Sequence, residues 1–182
     1  MHWADHTAQR LSEKYGSQVI ASGITPSGEF HIGHLREILT AEMIHRACLD
    51  AGEKSEYIFI VDSMDPLRRV YDFLSDDYEK YIGCPLAYIP SPNPDGTPNY
   101  EGDSYATHFL NPFLDALKQI GVNPVVIMNH ETYDKGLFAE KIDIAINRRE
   151  EIRNVIEEIS SRELPKEWYP YNPIGSDGSM DG

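Results

Sequence analysis

Two hydrophobic periods alternate along the chain. From Ile32 to Ala51, apolar residues fall at Leu35, Ile38, Leu39, Met43, Ile44 and Ala47, the spacing of a helix with one inward face, and Gly52 closes it. Tyr105 to Ile120 repeats the pattern with Phe109, Phe113, Leu114 and Leu117 inward and Gly121 at its end. Leu137 to Ser161 predicts one long helix with Phe138, Ile142, Ile146, Ile152, Ile156 and Ile159 on its buried side. A short helix is expected from Trp3 to Lys14. Between the helices stand short β-branched runs, Gln18 to Ala21, Tyr57 to Val61 and Pro124 to Met128, each read as a buried strand. Strands alternating with helices imply the α/β class, with a Rossmann-type parallel sheet and helices on both of its faces.

The stretch Lys80 to Asn99 breaks the alternation. It holds five of the twelve prolines (Pro85, Pro90, Pro92, Pro94 and Pro98) and is expected as an irregular surface loop. The domain reading is therefore a Rossmann-type catalytic half over 1–165, with a Pro-rich insertion near 84–104. Residues 166–182 read as the start of a following segment, and Gly175 to Gly182, with almost no bulk, as a flexible tail.

Composition narrows the picture. Hydrophobic residues make up 41% of the 182, enough to fold, while the formal charge of −14 gives the surface no general attraction for phosphate backbones. Lys141, Arg148, Arg149, Arg153 and Arg162 form the one candidate nucleic-acid patch, but Glu150, Glu151, Glu157 and Glu158 interleave with them, as on an ordinary solvated face. Cys48 and Cys84 stand alone and read as buried free thiols, not as a disulfide framework or a zinc ribbon. No run approaches the ~20 apolar residues of a membrane span, and no basic start leads into an apolar stretch, so the expectation is a cytoplasmic protein without a membrane partner.

The chemistry concentrates in Ser22-Gly23-Ile24-Thr25-Pro26-Ser27-Gly28-Glu29-Phe30-His31-Ile32-Gly33-His34, which joins the first strand to the first long helix. In open α/β sheets, ligands bind beyond the carboxyl ends of strands. Gly23 and Gly28 have the spacing of a Walker A loop, yet Glu29-Phe30 stands where that motif needs Lys and Ser or Thr, so a P-loop is rejected. His31 and His34, three apart at a helix start, share one face, and the helix terminus adds partial positive charge. Together they suit a polyphosphate. Gly33 lets a base or ribose approach the backbone, and Pro26 stiffens the loop. Two histidines alone offer no third metal ligand. Two glycines, a proline and two hydroxyls between a strand and these histidines have no obvious core-filling role.

His31-Ile32-Gly33-His34 matches the HIGH signature of class I aminoacyl-tRNA synthetases, and the run Ser22 to Gly28 followed by the signature and Arg36-Glu37 resembles the class I lysyl-tRNA synthetases in particular. Asp65-Pro66-Leu67-Arg68-Arg69-Val70, Tyr81 to Leu86, Ser104 to Phe109 and Glu131 to Gly136 resemble that family in the same order, so the likeness runs from about His2 to Pro173. It covers the HIGH-containing, N-terminal part. His34 stands where many members of the family carry Asn.

The resemblance implies activation of lysine with ATP, accompanied by Mg2+, and ligation of lysine to tRNA(Lys). It implies His31 and His34 as catalytic donors to the phosphoryl oxygens, within an ATP-binding set of Thr25, Ser27, Gly28, His31, Gly33 and His34. Gly23, Thr25, Glu37, Asp62 and Asp65 are the lysine-binding candidates, since an ammonium needs carboxylate or carbonyl acceptors; Glu37 also reads as a solvated helix residue and Asp65 as a cap or a partner of Arg68. No Lys-Met-Ser-Lys-Ser run occurs, so a KMSKS half is expected outside these residues, in the full-length protein or on a separate chain. Gly175 follows where the family's cysteine-rich zinc segment would begin, and before His108 only Asp95 and Asp103 stand near, so no protein-bound zinc or other metal site is expected. Two other functions compete: a non-catalytic nucleotide-binding fragment or half-enzyme, and a small His-x-Gly-His nucleotidyltransferase.

Overall fold

The computed structural model describes residues 2–180. Three strands, β1 (Ser17–Ile24), β2 (Lys54–Val61) and β5 (Val125–Met128), form a parallel sheet in the order β1-β2-β5. Register pairs Ile24 with Val61 and Val61 with Met128, so all three strands end together. Helix α2 (Ile32–Asp50) links β1 to β2, and α3 (Tyr105–Gln119) leads into β5. This is the α/β, Rossmann-type class that the alternating periods predict, a parallel sheet flanked by helices, although of the helices expected on both faces the crossovers α2 and α3 pack on the same one.

The register decides what each face carries, because successive side chains in a strand point to opposite sides. Ile24, Tyr57, Phe59 and Val61 share one face and are buried against Ile38 of α2 and Phe113 and Leu117 of α3. Tyr57 also ties the layers by hydrogen bonds: its hydroxyl lies 2.8 Å from Ser22 Oγ and donates to Ile38 O at 3.2 Å. Burial pushes the Tyr57 phenol up to about 12. Helix α1 (Trp3–Ser12) adds a small-residue contact, Ala4 and Ala8 against Ala47 and Cys48.

The Pro-rich stretch is more ordered than an irregular loop. A 3-10 helix (Asp76–Tyr81) leads into it, and an antiparallel pair, β3 (Pro90–Pro92) with β4 (Pro98–Ser104), is built from it. Leu67, Tyr78, Leu86, Ile89 and Tyr105 form a second core there. Prolines suit it because β3 and β4 are both edges, where a missing N–H costs little.

The single long helix expected from Leu137 to Ser161 is instead α5 (Ala139–Asn147) and α6 (Arg149–Ser160), after a short α4 (Asn129–Asp134). The break lies at Arg148, whose φ of −107° and ψ of 20° leave the helical region. The apolar register explains it. Ile146 and Ile152 are six residues apart, well off one face of a straight helix, and a break re-phases the stripe. Neither helix has a buried residue, and Ile159 is 78% exposed. Along these helices the cations are paired: Arg148 with Glu151, Arg153 with Glu150 at 2.8 Å and Arg149 with Glu150 at 3.3 Å. That is the solvated face weighed against a nucleic-acid patch.

Beyond α6 the chain turns back: Met180 N–H donates to Gly83 O at 2.9 Å, bringing Gly178 beside Cys84. Asp181 and Gly182, the end of the expected tail, lie outside the described residues. Among the described residues no helix is long and apolar enough to cross a membrane.

Candidate functional site

The loop from Ile24 to His31 leaves the carboxyl end of β1 and is held from several sides. Pro26 is fully buried, Tyr105 donates its hydroxyl hydrogen to Ser27 O at 2.8 Å, and Gly28 lies against Phe73. Phe30 stacks on Phe113 with ring centroids 4.4 Å apart, anchoring the entry to α2 in the main core.

His31 is the N-cap of α2. Its Nδ1 accepts from Gly33 N–H at 3.0 Å, and His34 Nδ1 reaches back to accept from His31 N–H, also at 3.0 Å. The two imidazoles thus form a reciprocal capping box, the arrangement usually made by Ser or Thr with Glu. Their rings are close and tilted by 32°, with centroids 4.0 Å apart. The hydrogen bonds set the chemistry: with Nδ1 accepting in both rings, each neutral ring carries its proton on Nε2, pointing away from the backbone. The site therefore offers two neighbouring N–H donors. Two amides of the terminus, those of His31 and Gly33, are already taken by the rings. Burial, and then the neighbouring His31, lower the His34 pKa and favour the neutral ring that the cap requires.

Gly33 has a tighter role than admitting a base. A Cβ there would stand 2.8 Å from His31 Cε1 and 2.9 Å from its Nδ1. Any side chain would push the His31 ring out of its cap.

Beyond the end of β2 lie the carboxylates. Thr25 Oγ1 donates to Asp65 Oδ2 at 2.6 Å, tying the signature loop to that strand end, and Arg68 reaches the same oxygen at 3.8 Å. Asp62 accepts from Asn129 Nδ2 at 3.2 Å through Oδ1, while its Oδ2 lies 3.7 Å from where a Cβ on Gly23 would sit. Burial, and secondarily Asp65, raise the Asp62 pKa, and the Asn129 amide opposes that rise. Gly23, Thr25, Asp62 and Asp65 are thus brought together. Glu37 is exposed on α2 and has no hydrogen bond or ion pair to this group. Asp65 and Asn129 also border a cleft of about 660 Å³ whose far wall includes Tyr133, Trp168 and Tyr169.

Sequence reading missed the residues at the end of β5. Ser63, fully buried, stands 2.9 Å from His130 Nδ1 and accepts from His130 N–H at 3.1 Å. Asn129 and His130 follow β5 as Asp62 and Ser63 follow β2, so the strand-end rule that flagged Asp62 applied equally to them. Asp95 is engaged with Thr97, and among the described residues no group of three His, Cys, Asp or Glu side chains is placed to hold a metal ion.

The model of the family described as tRNA synthetases class I (K) matches residues 1–180. The chain is 46% identical over 176 residues to a lysine–tRNA ligase of Archaeoglobus fulgidus, covering 96% of this chain and 34% of the relative. It is 43% identical over 173 residues to lysine–tRNA ligase 1 of Methanosarcina acetivorans, with 95% and 31% covered, and 44% identical over 178 residues to a lysine–tRNA ligase of Methanocaldococcus jannaschii, with 96% and 32% covered. It thus spans about a third of the length of these relatives. On a family match that runs nearly end to end, the chain belongs to the class I lysyl-tRNA synthetases.

Proposed function

We propose that this chain supplies the ATP-phosphate and lysine side of a lysine–tRNA ligase. The supporting observation is the reciprocal cap of His31 and His34, which turns two Nε2–H donors outward from the start of α2. When the lysine carboxylate attacks the α-phosphorus and pyrophosphate leaves, charge builds on phosphoryl oxygens. Fixed donors aimed there stabilise it without reorganising, each worth about 10²–10³ in rate. Thr25, Ser27, Gly28 and Gly33 complete the ATP-binding set. Mg2+ comes with the triphosphate, whose oxygens bind it without a dedicated protein cage. Asp62 and Asp65, with the backbone at Gly23, receive the lysine ammonium.

ATP phosphates need neutralising from a second side. A lysine-bearing KMSKS element, in a continuation of the protein or on another chain, completes the site. Ligation to tRNA(Lys) then belongs to the assembled enzyme, and these 182 residues alone charge tRNA negligibly. Calorimetry with ATP tests the assignment. The wild-type chain should bind ATP weakly, and H31A/H34A should weaken binding further. Equal affinity in the double variant removes the loop from the site. Lysine with ATP should raise the melting temperature; equal protection by leucine or methionine would contradict the specificity. Robust aminoacylation by this chain alone would overturn the need for a second phosphate-binding element.

A further inference from the structure

We propose that Asn129 is a positioning residue for amino-acid recognition: it holds the Asp62 carboxylate, across the ends of β2 and β5, in the orientation that receives the substrate ammonium. The inference rests on the reading of Asp62 as an ammonium acceptor.

Asn129 opens α4 directly after β5, and its side-chain amide donates to Asp62 Oδ1 at 3.2 Å. That occupies one carboxylate oxygen. The other, Oδ2, faces Gly23 of β1, where the absent side chain leaves room. Asp62 is thus presented with one oxygen tethered and one turned toward the strand end that begins the signature loop. The residue after each partner forms a second clasp between the same elements. Ser63 Oγ accepts the His130 backbone hydrogen and lies 2.9 Å from His130 Nδ1, which ties the start of α4 to the end of β2. Two side-by-side clasps, one buried and one beside the site, have different duties. Ser63 with His130 holds the strand ends together. Asn129 acts on the carboxylate itself.

The electrostatic surroundings give that contact a function. Asp62 is partly desolvated, and Asp65 three residues on adds a like charge. Asp65 is itself restrained by Thr25 and faces Arg68. Facing Asp62 from the other elements are the Asn129 amide from α4 and the uncharged backbone of Gly23 from β1. His130 is turned onto Ser63. Asn129 therefore favours the ionised form of Asp62 as well as orienting it, and an ammonium ligand needs both.

The test uses the present chain with N129L, which keeps the side-chain bulk and deletes the amide. Three quantities are read: the melting temperature without ligand, ATP and lysine affinities by calorimetry, and the Asp62 carboxyl titration by carbon NMR. Loss of one hydrogen bond to a charged group corresponds to about a ten- to hundredfold loss in lysine affinity. ATP affinity should hold, the Asp62 titration should move to higher pH, and the ligand-free melting temperature should fall slightly at neutral pH but not in acid, where Asp62 is protonated in both states. N129Q should restore part of the lysine affinity. If lysine affinity and the Asp62 titration are both unchanged in N129L, the proposal is overturned. If ATP affinity falls in parallel with lysine affinity, Asn129 is merely structural and the proposal is likewise overturned. Should the wild-type chain bind no lysine, the reading of Asp62 as acceptor fails by itself, and the titration alone then decides whether Asn129 governs that carboxylate.

Discussion

The two faces of the central sheet differ sharply although the same strands make both. On the covered face Phe59 and Val61 are fully buried beneath α2 and α3. On the other face Val19 is 64% exposed and Val125 51% exposed, in line with half-buried Ile58, Ile60 and Ile127. The covered side of β1 even buries Gln18 and Ser22, each with a hydrogen bond, while apolar Val19 points outward. Apolar composition therefore did not decide which side became core. The two long helical crossovers did, because both lie on one side of the sheet.

The contrast can be broken or sharpened by substitution. F59A should cost about 3–5 kcal/mol in urea unfolding, a large share of the stability of a small domain. A cost near that of a surface change would mean that the covered face is not the core. G33A should cost no more than about 1 kcal/mol of stability, the worth of the lost cap, but lower ATP affinity about ten- to a hundredfold, because its methyl displaces the His31 ring and one hydrogen bond to a charged ligand goes with it. Calorimetry beside a melting curve separates the two effects; unchanged ATP affinity would show that His31 does not need its cap.

D62N should raise the melting temperature near neutral pH. The folded state holds the Asp62 pKa above its unfolded value, so it binds the proton more tightly and stability falls as pH rises between the two. The cost is complete above the folded pKa and absent below the unfolded one. The stabilising effect of D62N should accordingly fade in acid, and an effect independent of pH would assign it to something other than charge burial. The smallest change is expected from V19T on the open face, within about 0.5 kcal/mol. A loss comparable to F59A would show that this face is covered in solution.

Much of this was legible in the residues. The extents of α2 and α3 follow from their apolar spacing, and Gly52 and Gly121 mark their ends with φ of +82° and +76°. The signature loop was legible because glycine, proline and histidine there serve no core. What escaped depends on distance in space. β5, expected to be buried, is an edge strand with an exposed Val125, since periodicity reports an apolar face without saying what lies against it. Likewise the second core gathers Leu67, Leu86 and Tyr105 from well-separated stretches, and proline disguised the one that holds Leu86 as loop. The capping role of the histidines was hidden for a different reason. Imidazole is an uncommon cap, and nothing in His-x-x-His states which nitrogen faces the backbone.

The reciprocal cap also bears on how such a sequence ages. Caps are worth about 1 kcal/mol, and here the groups that cap α2 are the same groups proposed to serve chemistry. A descendant that ceased to activate an amino acid would still lose helix stability on replacing either histidine, and on adding a side chain at Gly33 it would disturb both rings. Purifying selection on folding alone would therefore preserve the signature long after selection on catalysis had relaxed. In this lineage, drift away from activity should appear first at Asp62, Asp65 and Asn129, where nothing about the helix restrains it.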